Sequence, residues 1–141
     1  MVDLERLRTL LDRLRDTESQ LQRLEALGFD AVRHDPDRLN STKYLFVVAA
    51  ETAIDIGQHI IASEGLAVPA TFAGVFEELA RGPWLPDDLA TSMVAVARFR
   101  NLLVHGYADV DDDRVVEILH ANIVDLASFR REIARSAQTE G

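Results

Sequence analysis

The chain has 141 residues, of which 48% are hydrophobic and 28% charged, the make-up of one globular domain with a single core rather than of a disordered segment. It contains no cysteine, which excludes disulfides, cysteine-ligated zinc, iron–sulfur clusters and thiol catalysis. Fifteen Lys+Arg face 24 Asp+Glu, a net charge of −9, so any nucleic-acid role has to rest on a local basic site.

Neither a membrane span nor an export signal is expected. The longest wholly apolar run, Tyr44–Ala50, falls short of the ~20 residues that cross a bilayer. The chain opens on alternating charges, unlike an apolar signal region. The expected location is the cytoplasm.

The periodicity predicts an all-α protein of about five helices. Leu4, Leu7, Leu11, Leu14, Leu21 and Leu24 mark one face of a first helix over 3–27, with Gly28 as its stop. Glu18 and Glu25 interrupt the seven-residue seam, which favours a bundle helix over a coiled coil. A second helix starts at Asp35-Pro36, because aspartate can accept a bond from the free first-turn amides and proline has no N–H to satisfy there. It runs to Gly65 with Leu39, Phe46, Ala50, Ile54, Ile60 and Ile61 inward.

A shorter helix follows Pro69, carries Phe72, Val75, Phe76 and Leu79, and ends near Gly82. Pro83 and Pro86 bracket a turn around Trp84, and a fourth helix spans Pro86 to Val104 or His105. The acidic cluster Asp109–Asp113 opens a fifth, with Val116, Leu119, Ile123, Leu126 and Ile133 as its stripe. Residues 1–137 read as one domain and 138–141 as a short flexible tail. No strand alternation and no glycine-rich phosphate loop stand out.

The chemistry concentrates at the end of the fourth helix. Leu89, Met93, Val96 and Leu103 form an apolar stripe, and Arg100 occupies the position where that stripe calls for a hydrophobe. A buried unpaired cation costs several kcal/mol, so Arg100 either has an anionic partner, such as Glu51 or Asp55, or lines an opening. Gly106 reads as a left-handed helix cap, which puts His105 in the last turn, where the helix dipole favours imidazolium. Such a histidine can move protons near neutral pH, or simply cap the helix.

Arg100 and His105 lie five residues apart, about 140° around an ideal helix. They meet only if the helix loosens near Gly106 or a symmetry mate completes the site. No Asp or Glu occurs between Asp88 and Asp109, so Arg98 and Arg100 form a cationic window able to attract RNA phosphate. A second window, Arg33, His34, Arg38 and Lys43, is diluted by Asp35 and Asp37. Glu51, Asp55 and His59 share a helix face, but three ligands on one helix make a thin case for metal; a dimer contact or a polar helix–helix contact fits them better. His34 and His120 show no partner spacing, and Ser63, Ser92 and Ser128 sit in no nucleophile-like setting.

The run Arg100-Asn101-Leu102-Leu103-Val104-His105-Gly106-Tyr107 reads as R-N-x-x-x-H-x-Y. It resembles the signature of HepT-type toxins of the HEPN superfamily, small all-helical ribonucleases. Glu51–Asp55 with His59–Ile61, the Pro69–Leu79 segment and the acidic Val110–Asp113 turn fit the same layout.

The resemblance implies a HEPN-like antiparallel bundle, a homodimer whose two motifs form one RNA-cleaving cleft, and no metal or other cofactor. In it, Arg100 holds the scissile phosphate, His105 assists proton transfer as the ribose 2′-hydroxyl attacks, and Asn101 positions His105 or the RNA. Arg98 and Arg100 bind RNA. Tyr107 is where an MntA-type nucleotidyltransferase antitoxin attaches AMP, as in type VII toxin–antitoxin systems. Two alternatives stand beside this: a catalytically silent HEPN module binding a nucleotide or partner through the same Arg/His pair, and a plain helical dimer serving a larger complex.

Overall fold

The computed structural model describes residues 2–106 and 109–140. Every regular element among them is a helix: α1 (Leu4–Ala26), α2 (Phe29–Arg33), α3 (Pro36–Ser63), α4 (Phe72–Arg81), α5 (Asp87–His105) and α6 (Asp112–Glu140). The architecture is the all-α bundle that the periodicity predicts, with one short helix more. With five residues, α2 is too short to show a period; it sits against α1, α3 and α6 through the fully buried Val32.

The central helix is α3, which touches all five others. By length and composition it could cross a bilayer, yet 56% of its most apolar window is buried inside the bundle. Its start is as the sequence indicates: the Asp35 carboxylate accepts from the Asp37 and Arg38 amides at 3.0 and 3.3 Å, with Pro36 in the first turn. It ends where the Leu66 amide returns to the Ile61 carbonyl at 3.0 Å, over Gly65 at φ +64°, a conformation that side chains with a Cβ disfavour. Within the helix, a Cβ on Gly57 would collide with Val75 Cγ1, so glycine there is what lets α4 lie close to α3.

The two glutamates that break the α1 seam each have a partner on α6. Glu18 is buried and accepts from Arg130 Nε at 2.7 Å, and Glu25 lies 3.8 Å from His120 Nδ1. His120 therefore has a partner that its sequence spacing did not reveal, and so does the exposed His34, 4.0 Å from Asp30. Two of the four residues of the second cationic window clamp the start of α6: Arg33 meets Asp113 at 2.6 Å and Lys43 meets Asp112 at 2.9 Å. The hydrogen bond that Arg33 donates to Asp113, with the charges of Asp113, Asp112 and Asp111 nearby, pushes the Arg33 pKa above its ordinary value.

Helix α6 begins at Asp112, inside the acidic cluster expected to open it. The Asp111 carboxylate accepts from the Asp113 amide at 3.0 Å, and the helix continues past Gln138 to Glu140. The core is closed by Trp84 and by two edge-to-face ring pairs, Phe46–Phe99 and Phe76–Phe129.

The leucine face of α1 is largely buried: Leu7, Leu14 and Leu21 pack into the bundle where α1 meets α3 and α6, and Leu4 stays largely outside. Phe72, which shares its helical spacing with the buried Val75, Phe76 and Leu79, is exposed. Leu102 and Val104 at the end of α5 are also exposed, as are Tyr44, Val68 and Val124 elsewhere on the surface.

Candidate functional site

Helix α5 presents Met93, Val96 and Leu103 to the core, each essentially inaccessible. Arg100 sits in that stripe with its side chain 14% exposed. What makes it tolerable there is Glu51 of α3, whose Oε1 accepts from Arg100 Nη2 at 2.7 Å and from Nε at 3.2 Å. On the other side Arg100 Nη1 donates to Asn101 Oδ1 at 3.0 Å. The ion pair that the apolar stripe demanded is thus present, and Glu51 is the partner.

These contacts fix the orientation of a planar fork. A guanidinium has five N–H donors, of which three are engaged by Glu51 and Asn101. Two remain for an incoming oxyanion, a geometry suited to bidentate phosphate binding. The guanidinium carbon also stands 5.1 Å from the centroid of the Phe72 ring, a cation–π distance. Phe72 is the site neighbour that sequence reasoning missed, because its spacing with Val75, Phe76 and Leu79 matched a core face.

His105 is the last residue of α5 and is exposed. The Gly106 amide closes the helix on the Leu102 carbonyl at 2.8 Å. Gly106 is the cap as expected, but at φ −123° rather than in the left-handed region. The helix runs unbroken from Asp87 to His105, so it does not loosen to turn His105 toward Arg100. Asn101 is one turn before His105, on the same side of the helix. With its Oδ1 committed to Arg100, its amide hydrogens are the polar group it can offer there. Tyr107 lies outside the described residues.

Arg98 does not join Arg100. It lines a cleft of about 510 Å³ between α4 and α5, together with Glu77 of α4 and Asp87 of α5. A second groove, of about 440 Å³ between α1 and α6, is lined by Arg8, Arg15 and Arg130. Neither depression includes Arg100, Asn101 or His105. Among the described residues no group of three His, Asp or Glu gathers closely enough to hold a metal ion. Asp55 and His59 do not share the contacts of Glu51, and His59 Nε2 is buried without a hydrogen-bond partner among the described residues.

The fold is that of HEPN toxins. The structure superposes on a chain of a solved complex of a tri-AMPylated Shewanella oneidensis HEPN toxin with its MNT antitoxin, with a TM-score of 0.85 and 21% identity over 96% of this chain and 99% of that one. A family profile described as "Ribonuclease HepT-like" matches residues 7–133, and the chain belongs to that family. Among curated proteins it is 28% identical over 79 residues to the mRNA nuclease HepT of Shewanella oneidensis, covering 56% of this chain and 59% of that protein. It is also 28% identical over 95 residues to the tRNA nuclease HepT of Aphanizomenon flos-aquae, covering 67% of this chain and 65% of the relative. The matched stretch thus spans about six-tenths of each curated relative.

Proposed function

We propose that this chain is a HepT-type toxin, a metal-independent endoribonuclease of the cytoplasm that works as a homodimer and is silenced by AMP attachment. The observation that carries the reading is Arg100: a cation on the apolar face of α5, oriented by Glu51 and Asn101, with two N–H donors left for a phosphate. Family membership and the names of the nuclease relatives support the same chemistry.

In this reading Arg100 holds the scissile phosphate and stabilises the charge developing on it during attack by the ribose 2′-hydroxyl. His105 moves the proton, and Asn101 keeps the two residues in register. Arg98 adds a more distant phosphate contact. The unbroken helix, the wide angle between Arg100 and His105, and the exposed Leu102 and Val104 support a twofold dimer with the ends of α5 near the axis. The cleft then forms between two chains, in keeping with the absence of these residues from either groove of the single chain.

Tyr107 follows two residues after His105 in sequence. In this reading an AMP group on Tyr107 adds negative phosphate that competes with RNA for the cationic site. The partner is a nucleotidyltransferase antitoxin of the MntA type. The Arg100–Glu51 pair also favours a second reading, a catalytically silent module whose arginine, its charge offset by Glu51, binds a nucleotide or partner without cleaving it. Induced expression separates the two: the wild type arrests growth and degrades RNA, whereas Arg100→Ala does neither. Equal growth with both would select the silent module. Co-expression with a nucleotidyltransferase of the MntA type should add AMP-sized increments to the intact mass, and none to that of Tyr107→Phe.

A further inference from the structure

The aromatic rings among the described residues divide into two sets. Phe46, Phe76, Phe99, Phe129 and Trp84 are buried, whereas Phe29, Tyr44 and Phe72 are exposed. Phe72 is the first residue of α4, a position whose local needs are met without a ring, because the Thr71 hydroxyl already accepts from the Gly74 amide at 3.0 Å. The ring neither fills the core nor caps the helix. It lies against the Arg100 guanidinium, 5.1 Å from ring centroid to guanidinium carbon, and remains 37% exposed.

We propose that Phe72 is a nucleobase-stacking platform that binds the base next to the phosphate held by Arg100, so that the substrate is RNA unpaired at the cleavage site. The inference rests on the ribonuclease reading and specifies its substrate class. Every nucleobase has a π-face, so a ring beside a phosphate-binding cation grips a nucleotide without reading its identity. In a duplex both faces of a base are covered by its neighbours, and an A-form helix does not offer them to a side chain. A ring in contact with the phosphate-binding cation therefore selects loops and single strands.

The test uses the full-length protein and one oligoribonucleotide, alone and annealed to its complement, with variants Phe72→Leu, Phe72→Trp and Phe29→Leu. Phe29 is also 37% exposed, but it sits on α2, which touches neither α4 nor α5. The single strand should be cleaved and the duplex spared. Phe72→Leu should lose roughly tenfold in kcat/KM on the single strand, Phe72→Trp should retain activity, and Phe29→Leu should match the wild type. Replacing the base beside the mapped cleavage site by an abasic residue should cost the wild type a similar factor and Phe72→Leu little more.

Equal activity of Phe72→Leu and Phe29→Leu overturns the platform and leaves the ribonuclease reading standing. The same result follows if Phe72→Leu loses an equal factor on intact and abasic RNA, which assigns the ring only to holding Arg100. A wild type that cleaves neither strand form sinks the ribonuclease reading and the platform with it.

Discussion

Replacing Glu51 separates charge from orientation at Arg100. The carboxylate contacts the guanidinium at 2.7 and 3.2 Å, with the glutamate side chain 47% exposed and the arginine 14%. A phosphate on the two free donors would lie on the order of 6 Å from that carboxylate, where like charges repel by about 0.7 kcal/mol in water and about 2.8 kcal/mol at an effective dielectric of 20. The exposure of Glu51 places the value near the lower end, about 1 kcal/mol, or about fivefold in binding. Glu51→Gln keeps an oxygen that accepts from Nε and Nη2, so KM should fall about fivefold with kcat little changed. Glu51→Ala releases the fork, and kcat should fall by about 10²-fold, the scale of a misplaced reacting group. Steady-state cleavage of a short single-stranded RNA, at two salt concentrations, reads both constants, and the KM gain of the glutamine variant should shrink as salt screens the repulsion. If the glutamine and alanine variants behave alike, or glutamine raises KM, Glu51 does not orient Arg100 for phosphate.

Three other predictions concern the scaffold. Glu18→Ala leaves Arg130 without its 2.7 Å partner between α1 and α6 and should cost about 3 kcal/mol in urea unfolding; a loss below about 1 kcal/mol would show that water reaches the pair. Gly57→Ala drives a methyl group into Val75 of α4 and should destabilise by about 1–3 kcal/mol; wild-type stability would show that α4 shifts freely. Asp125 is raised above its ordinary carboxylate value chiefly by burial, with a Ser92 hydrogen bond opposing. The folded state then holds this proton more tightly than the unfolded state, so the group's contribution to stability declines as pH climbs from the ordinary carboxylate value through the raised one. Asp125→Asn keeps an acceptor for Ser92 and should melt higher than wild type at pH 7, with the gap closing on acidification; a constant gap would refute the burial argument.

Long elements were legible because their signals are local and repeated. The Asp35-Pro36 start, the Gly65 stop and the stripe of α6 each follow from caps and a 3.6-residue period. The site was half legible: a cation on an apolar stripe requires an anion, and Glu51 was one of two carboxylates that could supply it. Phe72 was not legible, since helical spacing alone cannot tell a core ring from one that lies over a cation. The second window of positive charge also misled as a surface feature, because Arg33 and Lys43 find Asp113 and Asp112 some 70 to 80 residues away in sequence. The breaks at Glu18 and Glu25 marked helix contacts that no single-helix pattern can assign.

The most direct test of the central claim is cleavage of single-stranded RNA by the purified full-length protein in excess EDTA, with Arg100→Ala and His105→Ala as paired variants of unchanged helical content. The account predicts full wild-type activity under chelation and loss of cleavage in each variant. Activity that needs added divalent metal, or that survives in either variant, would contradict it.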